Sequence, residues 1–380
     1  MKTRGVHLQY SFETDGQLGA QIDNPVFDLL SAVREHGSIR HAAAARGASY
    51  RHVWGAIKHW EQVLGEPLVS WVQGQPARLT PFADRLLWAE TRARTRLTPH
   101  IEALRAELER VLSDALDGNQ QVLTIWASHD LALPQLREVA SGRHRLHMDL
   151  RFAGSVDALQ ALAQGRCLVA GFHVPPISSA APHFAAALKP LLKPGRHKLI
   201  GCLRRTQGLM LRRPNAQQVH TLRHLADSGV RFLNRQPGSG TRLLMDHLLH
   251  AEGLDPAAIN GWDGHPEESH VAVAAAIASG VADCGPGIEA AAHQFGLDFQ
   301  PLTEEDYFLV CLKEVLDHPA VLQLRAALQA PAWARALHAL PGYEPSPDAG
   351  EVLSLTRALP WWNYRAPKPA GVAQRKAPAG

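Results

Sequence analysis

Residues Gly37–Trp60 read GSIRHAAAARGASYRHVWGAIKHW. Ser38 is a strong N-cap for an Ala-rich helix over Ile39–Arg46. Gly47 ends that helix, because glycine accepts the left-handed backbone of a tight turn. Ser49 caps a second helix, in which Val53, Ile57 and Trp60 recur at helical spacing and face the first. Between Arg34 and Trp60 there are five Arg or Lys residues and one acidic residue, Glu35. His36, His41, His52 and His59 add charge when protonated. A basic helix pair of this kind neutralises phosphates and enters a major groove. The bland alternative is a solvated helical hairpin. Cap, turn, charge and apolar register agree on the first reading, a helix-turn-helix.

The flanks extend it. Val26, Leu29, Leu30 and Val33 form the apolar face of a preceding helix. Leu64-Gly-Glu-Pro-Leu-Val69 ends the second helix and enters a strand. Ser70–Gln75 contains a glycine turn, and Ala77-Arg-Leu-Thr-Pro81 returns, giving a short β-wing. Thr80-Pro81 opens another helix, with proline where its missing N–H costs nothing. The expected DNA contacts are Ser38, Arg40, Ser49, Tyr50, Arg51, His52, Lys58 and, on the wing, Arg78. Tyr50, Arg51 and His52 lie near the N-terminus of the second helix, the end that meets base edges. Trp54 reads as core, with a contact to the DNA backbone as the alternative.

The pattern GSI…AA…G.SY..VW.AI, followed by LG.PLV and LTPFADRLL, resembles the winged-helix head of the molybdate-responsive ModE-type repressors. More distantly it is similar to LysR-type regulators. Ser38, Ile39, Ser49, Tyr50, Trp54 and Ile57 carry the match over about the first quarter of the chain. The resemblance implies a head that binds an operator under control of a small ligand. The wing lacks the long Gly-rich insertion often seen in ModE-type heads, and the C-terminal part shows no pair of oxyanion-binding β-barrels. That family's molybdate site therefore has no residue-by-residue counterpart here.

With 380 residues, 46% of them hydrophobic, the chain is long enough for two domains with separate cores. Net charge is only +3, so the basic character is local to the head. Cys167, Cys202, Cys284 and Cys311 show no CxxC spacing and read as buried thiols of a reducing compartment. No apolar run has membrane-spanning length and no signal-peptide core is read, so a cytoplasmic protein with no membrane partner is expected. The 21 histidines invite a metal hypothesis, but no ligand set is read. Neither metal nor cofactor is expected.

Thr80–Leu116 reads as a long helical segment. Leu97, Ile101, Leu104, Leu108 and Val111 follow 4-3-4-3 spacing, a heptad seam. Such a seam asks for a partner helix. A second copy is the simplest one, giving a homodimer or a dimer of dimers; the alternative is packing on the chain's own second domain. Pro99 kinks the helix or starts a new one capped by Thr98. The expected division is a winged helix-turn-helix over 1–82, a linker and dimerisation helix over 83–118, a two-lobed ligand-binding domain over 119–345 and a Pro-rich tail over 346–380.

From Gln121 short apolar strands alternate with helices. The strands are Val122–Ala127, Met148–Phe152, Cys167–Phe172, Lys198–Cys202, Val230–Asn234, Ser279–Gly285 and Tyr307–Leu312. Alternation at this spacing predicts parallel sheets covered on both faces. The stretch Lys189–Arg196 divides the strands into two groups, hence two α/β lobes with a cleft. Pro319–His338 reads as two helices packed back on the first lobe. Asn234-Arg-Gln-Pro-Gly-Ser-Gly-Thr-Arg242, Ser269-His270, Ala278–Gly285 and Leu297–Tyr307 resemble the type II periplasmic-binding-protein fold. The likeness is to the subgroup attached to molybdenum-related regulators and molybdopterin-biosynthesis proteins. The expected fold is thus a mainly α winged helix-turn-helix, a long linker helix, and a two-lobed α/β domain of that type.

In open α/β sheets, ligands sit beyond the carboxyl ends of strands against helix N-termini. Ser128, Ser155, and Ser239 with Thr241 each stand directly before a predicted helix, where free N–H groups and the helix dipole favour an anion. For each hydroxyl the alternative is simple capping of its own helix. Arg235 adds charge, Arg242 is expected on a helix surface, and His173 and His270 are neutral donors at the rim. PGSGT lacks the Gly-Lys-Ser/Thr of a nucleotide-hydrolysing loop. Ser128-His129-Asp130 has the residue types of a catalytic triad, but neighbouring side chains diverge, so no enzyme is expected. The reading is a dimeric, ligand-responsive transcription regulator that binds a double-stranded, pseudo-palindromic operator. Its cleft closes on a small anion: molybdate, tungstate, a molybdopterin-related compound or an organic acid. The alternative is a ligand-binding protein of molybdopterin metabolism whose head serves oligomerisation.

Overall fold

A computed structural model describes residues 11–13, 21–71, 75–116, 121–175, 181–215, 219–359 and 361–362. A short antiparallel pair, β1 (Ser11–Glu13) and β2 (Gln21–Asp23), precedes the helical head. The head itself is α1 (Asn24–His36), α2 (Ile39–Ala45) and α3 (Tyr50–Leu64). Ser38 and Ser49 cap as expected, accepting the His41 and His52 N–H groups at 3.3 and 3.2 Å. Gly47 and Gly65 take left-handed φ values of 63° and 70°. Leu30, Val33, Ala42, Val53 and Ile57 are buried together as the head's core.

The wing is β3 (Val69–Ser70) paired antiparallel with β4 (Arg78–Leu79); the expected turn at 72–74 lies outside the described residues. Glu61 fixes the wing to the end of α3. Its Oε1 accepts the Leu68 and Val69 N–H groups at 2.9 and 3.2 Å, and its Oε2 accepts Lys58 Nζ at 2.6 Å. Burial opposes its charge, but these donors hold the carboxyl below the usual range.

Helix α4 (Pro81–Leu116) runs 36 residues through Pro99. No new helix starts at Thr98. Its hydroxyl donates to the Arg94 carbonyl at 2.7 Å, a bond inside the same helix. Leu97, Leu104, Leu108 and Val111 are exposed, so these seam positions are not packed on the chain's own second domain.

The body contains β5 (Gln121–Ala127), α5 (Leu133–Arg143), β6 (Leu146–Phe152), α6 (Ser155–Ala163), β7 (Val169–Val174) and α7 (Ala181–Leu188). There follow β8 (His197–Leu211), α8 (Leu222–Ser228), α9 (Gly240–Ala251), α10 (His270–Ala278), β9 (Cys284–Ile288), α11 (Glu289–Gln294) and β10 (Asp298–Leu312). The last elements are α12 (Pro319–Gln329), α13 (Pro331–His338), β11 (Tyr343–Pro345), β12 (Val352–Ser354) and α14 (Leu355–Ala358). The sheet order is β11-β8-β10-β7-β5-β6, with β9 and β12 also paired to β8.

Several expectations need correction. Only β5 pairs in parallel, with β6 and β7; the other pairings within this sheet are antiparallel. The lobes do not divide at Lys189–Arg196. They divide inside β8 and β10, two 15-residue strands that run through both. Val230–Asn234 is not a strand but makes an isolated bridge at Phe232 to Cys284, and β9 starts at Cys284 rather than Ser279.

The two helices expected over Pro319–His338 are present and line the first lobe's core through Leu324 and Trp333. Beyond 345 the chain does not leave the body: β12 pairs with β8, and Leu355, Leu359 and Trp361 are buried. The part of the expected tail beyond residue 362 lies outside the described residues. All four cysteines are free and buried, and among the described residues no helix is long and apolar enough to cross a membrane.

A Cβ at Gly201 would stand 2.3 Å from the Asp348 carbonyl oxygen. Gly201→Ala is expected to lower stability by about 1–3 kcal/mol, read from the urea midpoint, and to speed proteolysis within 343–359. An unchanged midpoint and cleavage rate would show that this segment does not lie against β8.

Candidate functional site

On the head, Arg40, Ser49, Tyr50, Arg51, His52 and Arg78 are exposed, while Ser38 is half-buried under its capping bond. Ser49–His52 form the open start of α3. Lys58 turns toward the wing, paired with Glu61 and lying 4.7 Å over the Trp54 ring. Trp54 is part core and part brace: it stacks on Tyr50 at 6.2 Å and meets Trp71 edge-on at 6.3 Å.

All seven expected ligand residues are buried, and they fall in one neighbourhood between the lobes. Ser128 follows β5, and its hydroxyl meets His173 Nδ1 on β7 at 2.8 Å. His173 Nε2 lies 3.5 Å from Asp130 Oδ2, too far for a formed hydrogen bond. A Ser–His–Asp succession therefore does exist, through His173 rather than the adjacent His129. Asp130 is engaged elsewhere. Its Oδ1 accepts the Ala132 N–H at 2.7 Å, and its Oδ2 accepts Arg205 Nη1 at 2.6 Å and the Tyr343 hydroxyl at 3.1 Å.

Arg205 also grips Glu305 Oε2 through Nε and Nη2, at 3.1 and 3.0 Å. Across the cleft, Gln207 Nε2 donates to Thr241 Oγ1 at 2.7 Å. Ser239 caps α9 and donates to the Gln236 carbonyl, so it follows the plain capping reading. Arg242 leaves the cleft for Asp246 and the face of Trp262. The starts of α6 and α9 press together: a Cβ at Gly240 would stand 3.2 Å from Ser155 Oγ, and one at Gly154 3.2 Å from the Gly238 carbonyl.

Several buried polar atoms in this cluster have no partner: Ser155 Oγ, His173 Nε2, Gln207 Oε1, Arg235 Nη1, His270 Nδ1 and Glu305 Oε1. Their concentration in one place makes this cluster the candidate ligand site. Arg235 Nε and Nη2 are held by the Glu267 and Glu268 carbonyls at 3.1 and 2.8 Å. Burial, then Arg205, lowers the Arg235 pKa to about 9, and it stays cationic at neutral pH. Burial opposes charge on Asp130, yet His173 and Arg205 hold its carboxyl well below the usual range.

Beside the cluster, a cavity of about 160 Å³ is lined by His129 and Phe152 of the first lobe, Gln236 and Glu268 of the second, and Pro99 and His100 of α4. Two larger hollows, of about 480 and 450 Å³, are lined by Arg213, His220 and His293 and by Glu138, His144 and Arg335, none of them cluster residues. His220 and His224 stand four apart with rings at 6.5 Å, but no group of three or more metal-ligating side chains among the described residues is arranged to hold an ion.

Sequence reasoning missed Arg205, Glu305, Gln207 and Tyr343. The legible signal was Arg204-Arg205-Thr-Gln207 inside an otherwise apolar run, Leu199–Leu211. Polar residues at such positions need long-range partners.

Burial, then Arg205, pushes the His173 imidazole down to about 4. The unfolded chain takes up this proton near 6.5. It therefore binds more protons than the folded chain between those values, and stability falls as pH drops from 6.5 toward 4. His173's share is roughly 3 kcal/mol by the linkage relation. Urea midpoints at pH 7 and 4.5 test this: His173→Gln should flatten the slope, and an unaltered slope would place the loss elsewhere.

Comparison with known proteins follows this division of the chain. A family model described as "PBP superfamily domain" matches residues 136–329, just over half of the chain. One described as "Bacterial regulatory helix-turn-helix protein, lysR family" matches residues 27–84. The uncharacterized protein YvgK of Bacillus subtilis is 32% identical over 164 residues, 43% of this chain and 53% of that protein, so the match spans about half of YvgK. An uncharacterized Clostridium pasteurianum protein, from the 5′ region of a 2Fe-2S ferredoxin gene, is 34% identical over 115 residues, 30% of this chain and 98% of that protein. Among solved structures, the Corynebacterium glutamicum OxyR C206 mutant is similar at 16% identity, covering 83% of this chain and 93% of that one, with a TM-score of 0.42. ArgP from Mycobacterium tuberculosis is similar at 18% identity, covering 83% and 98%, with a TM-score of 0.38. The chain belongs to the PBP superfamily, and its N-terminal residues 27–84 match the regulatory helix-turn-helix of the LysR family.

Proposed function

We propose that this chain is a dimeric transcription regulator whose cleft takes a small organic acid bearing a hydrogen-bond donor besides its anionic group. The observation that carries this is the pair of opposite demands among the unpartnered atoms. Arg235 Nη1 and Ser155 Oγ suit an anion, as do the facing starts of α6 and α9. Glu305 Oε1 and Gln207 Oε1 are acceptors and need a donor. A fully deprotonated molybdate or tungstate meets only the first demand. A hydroxy or amino acid of few carbons meets both. The head's resemblance to ModE-type repressors supports molybdate or tungstate instead, and that of the body a molybdopterin-related compound.

A second copy is the partner for the exposed seam Leu97, Leu104, Leu108 and Val111 on α4. Pairing there brings two heads together for two half-sites. Ser49, Tyr50, Arg51 and His52 at the start of α3 contact the major groove, Ser38 and Arg40 the backbone, and Arg78 the flank of the wing. Lys58, held by Glu61, steadies the wing and contacts DNA only if that pair opens.

Thermal unfolding tests the ligand. The panel holds small hydroxy and amino acids, formate, molybdate, tungstate, sulfate and molybdopterin. A ligand at a hundredfold excess over its Kd adds about 2.7 kcal/mol. The expected result is a rise with a substituted acid that Arg235→Gln removes; a rise with molybdate or tungstate alone overturns the organic-acid reading. For the head, duplexes selected from a random pool are the probe. Arg51→Ala should weaken the selected site about tenfold or more, with the dimer intact by sedimentation. Failure to select any sequence would favour a head that serves oligomerisation only.

A further inference from the structure

Helix α4 does more than join head to body. Arg92, Arg96 and His100 stand four residues apart, on one stripe of the helix, and all three meet the second lobe. Arg92 Nη1 donates to Ser279 Oγ, the end of α10, at 2.8 Å. Arg96 forks onto the Glu267 carboxylate, with Nε 3.2 and 3.0 Å from its two oxygens and Nη2 on Oε1. His100 Nε2 lies 4.0 Å from Glu268 Oε2. Two residues on, Glu102 accepts Arg137 Nη2 of α5, in the first lobe, at 2.9 Å. The helix thus bridges both lobes at the mouth of the cleft.

We propose that α4 is a wall and a latch of the ligand site, so that the helix carrying the DNA-binding head reads the cleft's occupancy directly. This rests on the cleft being the ligand site. The connection runs through residues 267 and 268, which lie between two guanidinium groups. Arg96 holds the Glu267 side chain from the helix side. Arg235 holds the Glu267 and Glu268 carbonyls from the cleft side. Backbone bonds tie the same segment to Asn234 and Gln236, at 3.0 and 3.2 Å. A ligand that recruits the unpartnered Nη1 of Arg235 must pull on that segment, and the segment is fastened to α4.

The latch differs from an ordinary surface ion pair, which contributes little. The Glu267 side chain is only 6% exposed. Withdrawing Arg96 leaves a buried carboxylate without its hydrogen-bond donors, a costly state. The wall is the cavity of about 160 Å³, bounded by Pro99, His100 and Ala103 of α4. Opposite them, His129 Nδ1 and Gln236 Oε1 are buried and unpartnered. A molecule reaching from Arg235 toward these atoms touches the helix itself.

Amide hydrogen exchange on the full-length protein, with neither DNA nor ligand present, tests the coupling. The segments to follow are 92–104 on α4 and 265–272 before and into α10. Arg96→Gln should speed exchange in both, roughly three- to tenfold. Arg235→Gln, at a residue that makes no hydrogen bond to α4, should speed exchange in 92–104 as well. The charge swap Arg96→Glu with Glu267→Arg should return both segments toward the original rates. Exchange at 307–311 in β10 reports whether each variant is folded; should Arg235→Gln disturb it, Arg235→Lys loses the two-carbonyl fork while keeping the charge. If 92–104 keeps its original rate in a folded Arg235 variant, the latch is only a strut and the proposal falls. Because the assay contains no DNA and no ligand, failure of the regulator reading does not affect it.

Discussion

The Arg205 guanidinium, buried to 2% exposure, is the constraint around which the body is built. It joins Glu305 on β10, its register partner across the sheet, to Asp130 after β5, which in turn takes the Tyr343 hydroxyl of β11. Burial alone would disfavour its charge, but Glu305 and Asp130 reverse that and hold it firmly protonated. Taking such charges out of water is expensive, and losing one partner of a buried pair costs about 3–5 kcal/mol. Well-packed hydrophobic groups in place of such a buried ionic set are often no less stable. What the ionic one adds is a fixed geometry at the place where β8 and β10 pass from one lobe to the other.

That fixed geometry explains the crowding of unmet polar groups next to it. With Arg205 saturated by Asp130 and Glu305, the free donor capacity falls to Arg235, held only by backbone carbonyls. The imidazoles of His129 and His173 are pushed down to about 4, burial being the main cause, and so are neutral at physiological pH. Neutral rings beside a free guanidinium nitrogen and the unpartnered Glu305 Oε1 make a polar lining with one cationic and one anionic point.

The head was legible in the sequence because its determinants are local. Ser38 and Ser49 act on N–H groups three residues away, and Gly47 and Gly65 act on their own φ. In the body, Ser128, Ser155, Ser239 and Thr241 were read as hydroxyls directly before helices, with Arg235, His173 and His270 as added charge and donors, and the structure buries all seven. The body's crossing strands were not legible. The run Leu199–Leu211 contains Gly201, two arginines, Thr206, Gln207 and Gly208, and so reads as a short strand followed by a loop. Arg205 meets Glu305 a hundred residues later, and no spacing rule reaches that far. Alternation of strands and helices suggested parallel pairing throughout, but it says nothing of a strand that returns through both lobes.

Helix α9 belongs to both lobes at once. Leu244 is buried with Phe172 and Phe184 of the first, while one residue on, Met245 is buried with Phe232 and Trp262 of the second. Swinging the lobes apart like a flytrap would tear Leu244 from an apolar contact and expose it to water. Sliding α9 along its neighbours by a fraction of a side chain would not. A relative shift by sliding would keep the contacts of α9 with both lobes, where a hinge opening would break them. A bound molecule that slid the lobes in this way would displace them little, and a 36-residue rod resting on both lobes would turn that displacement into a larger sweep at its far end.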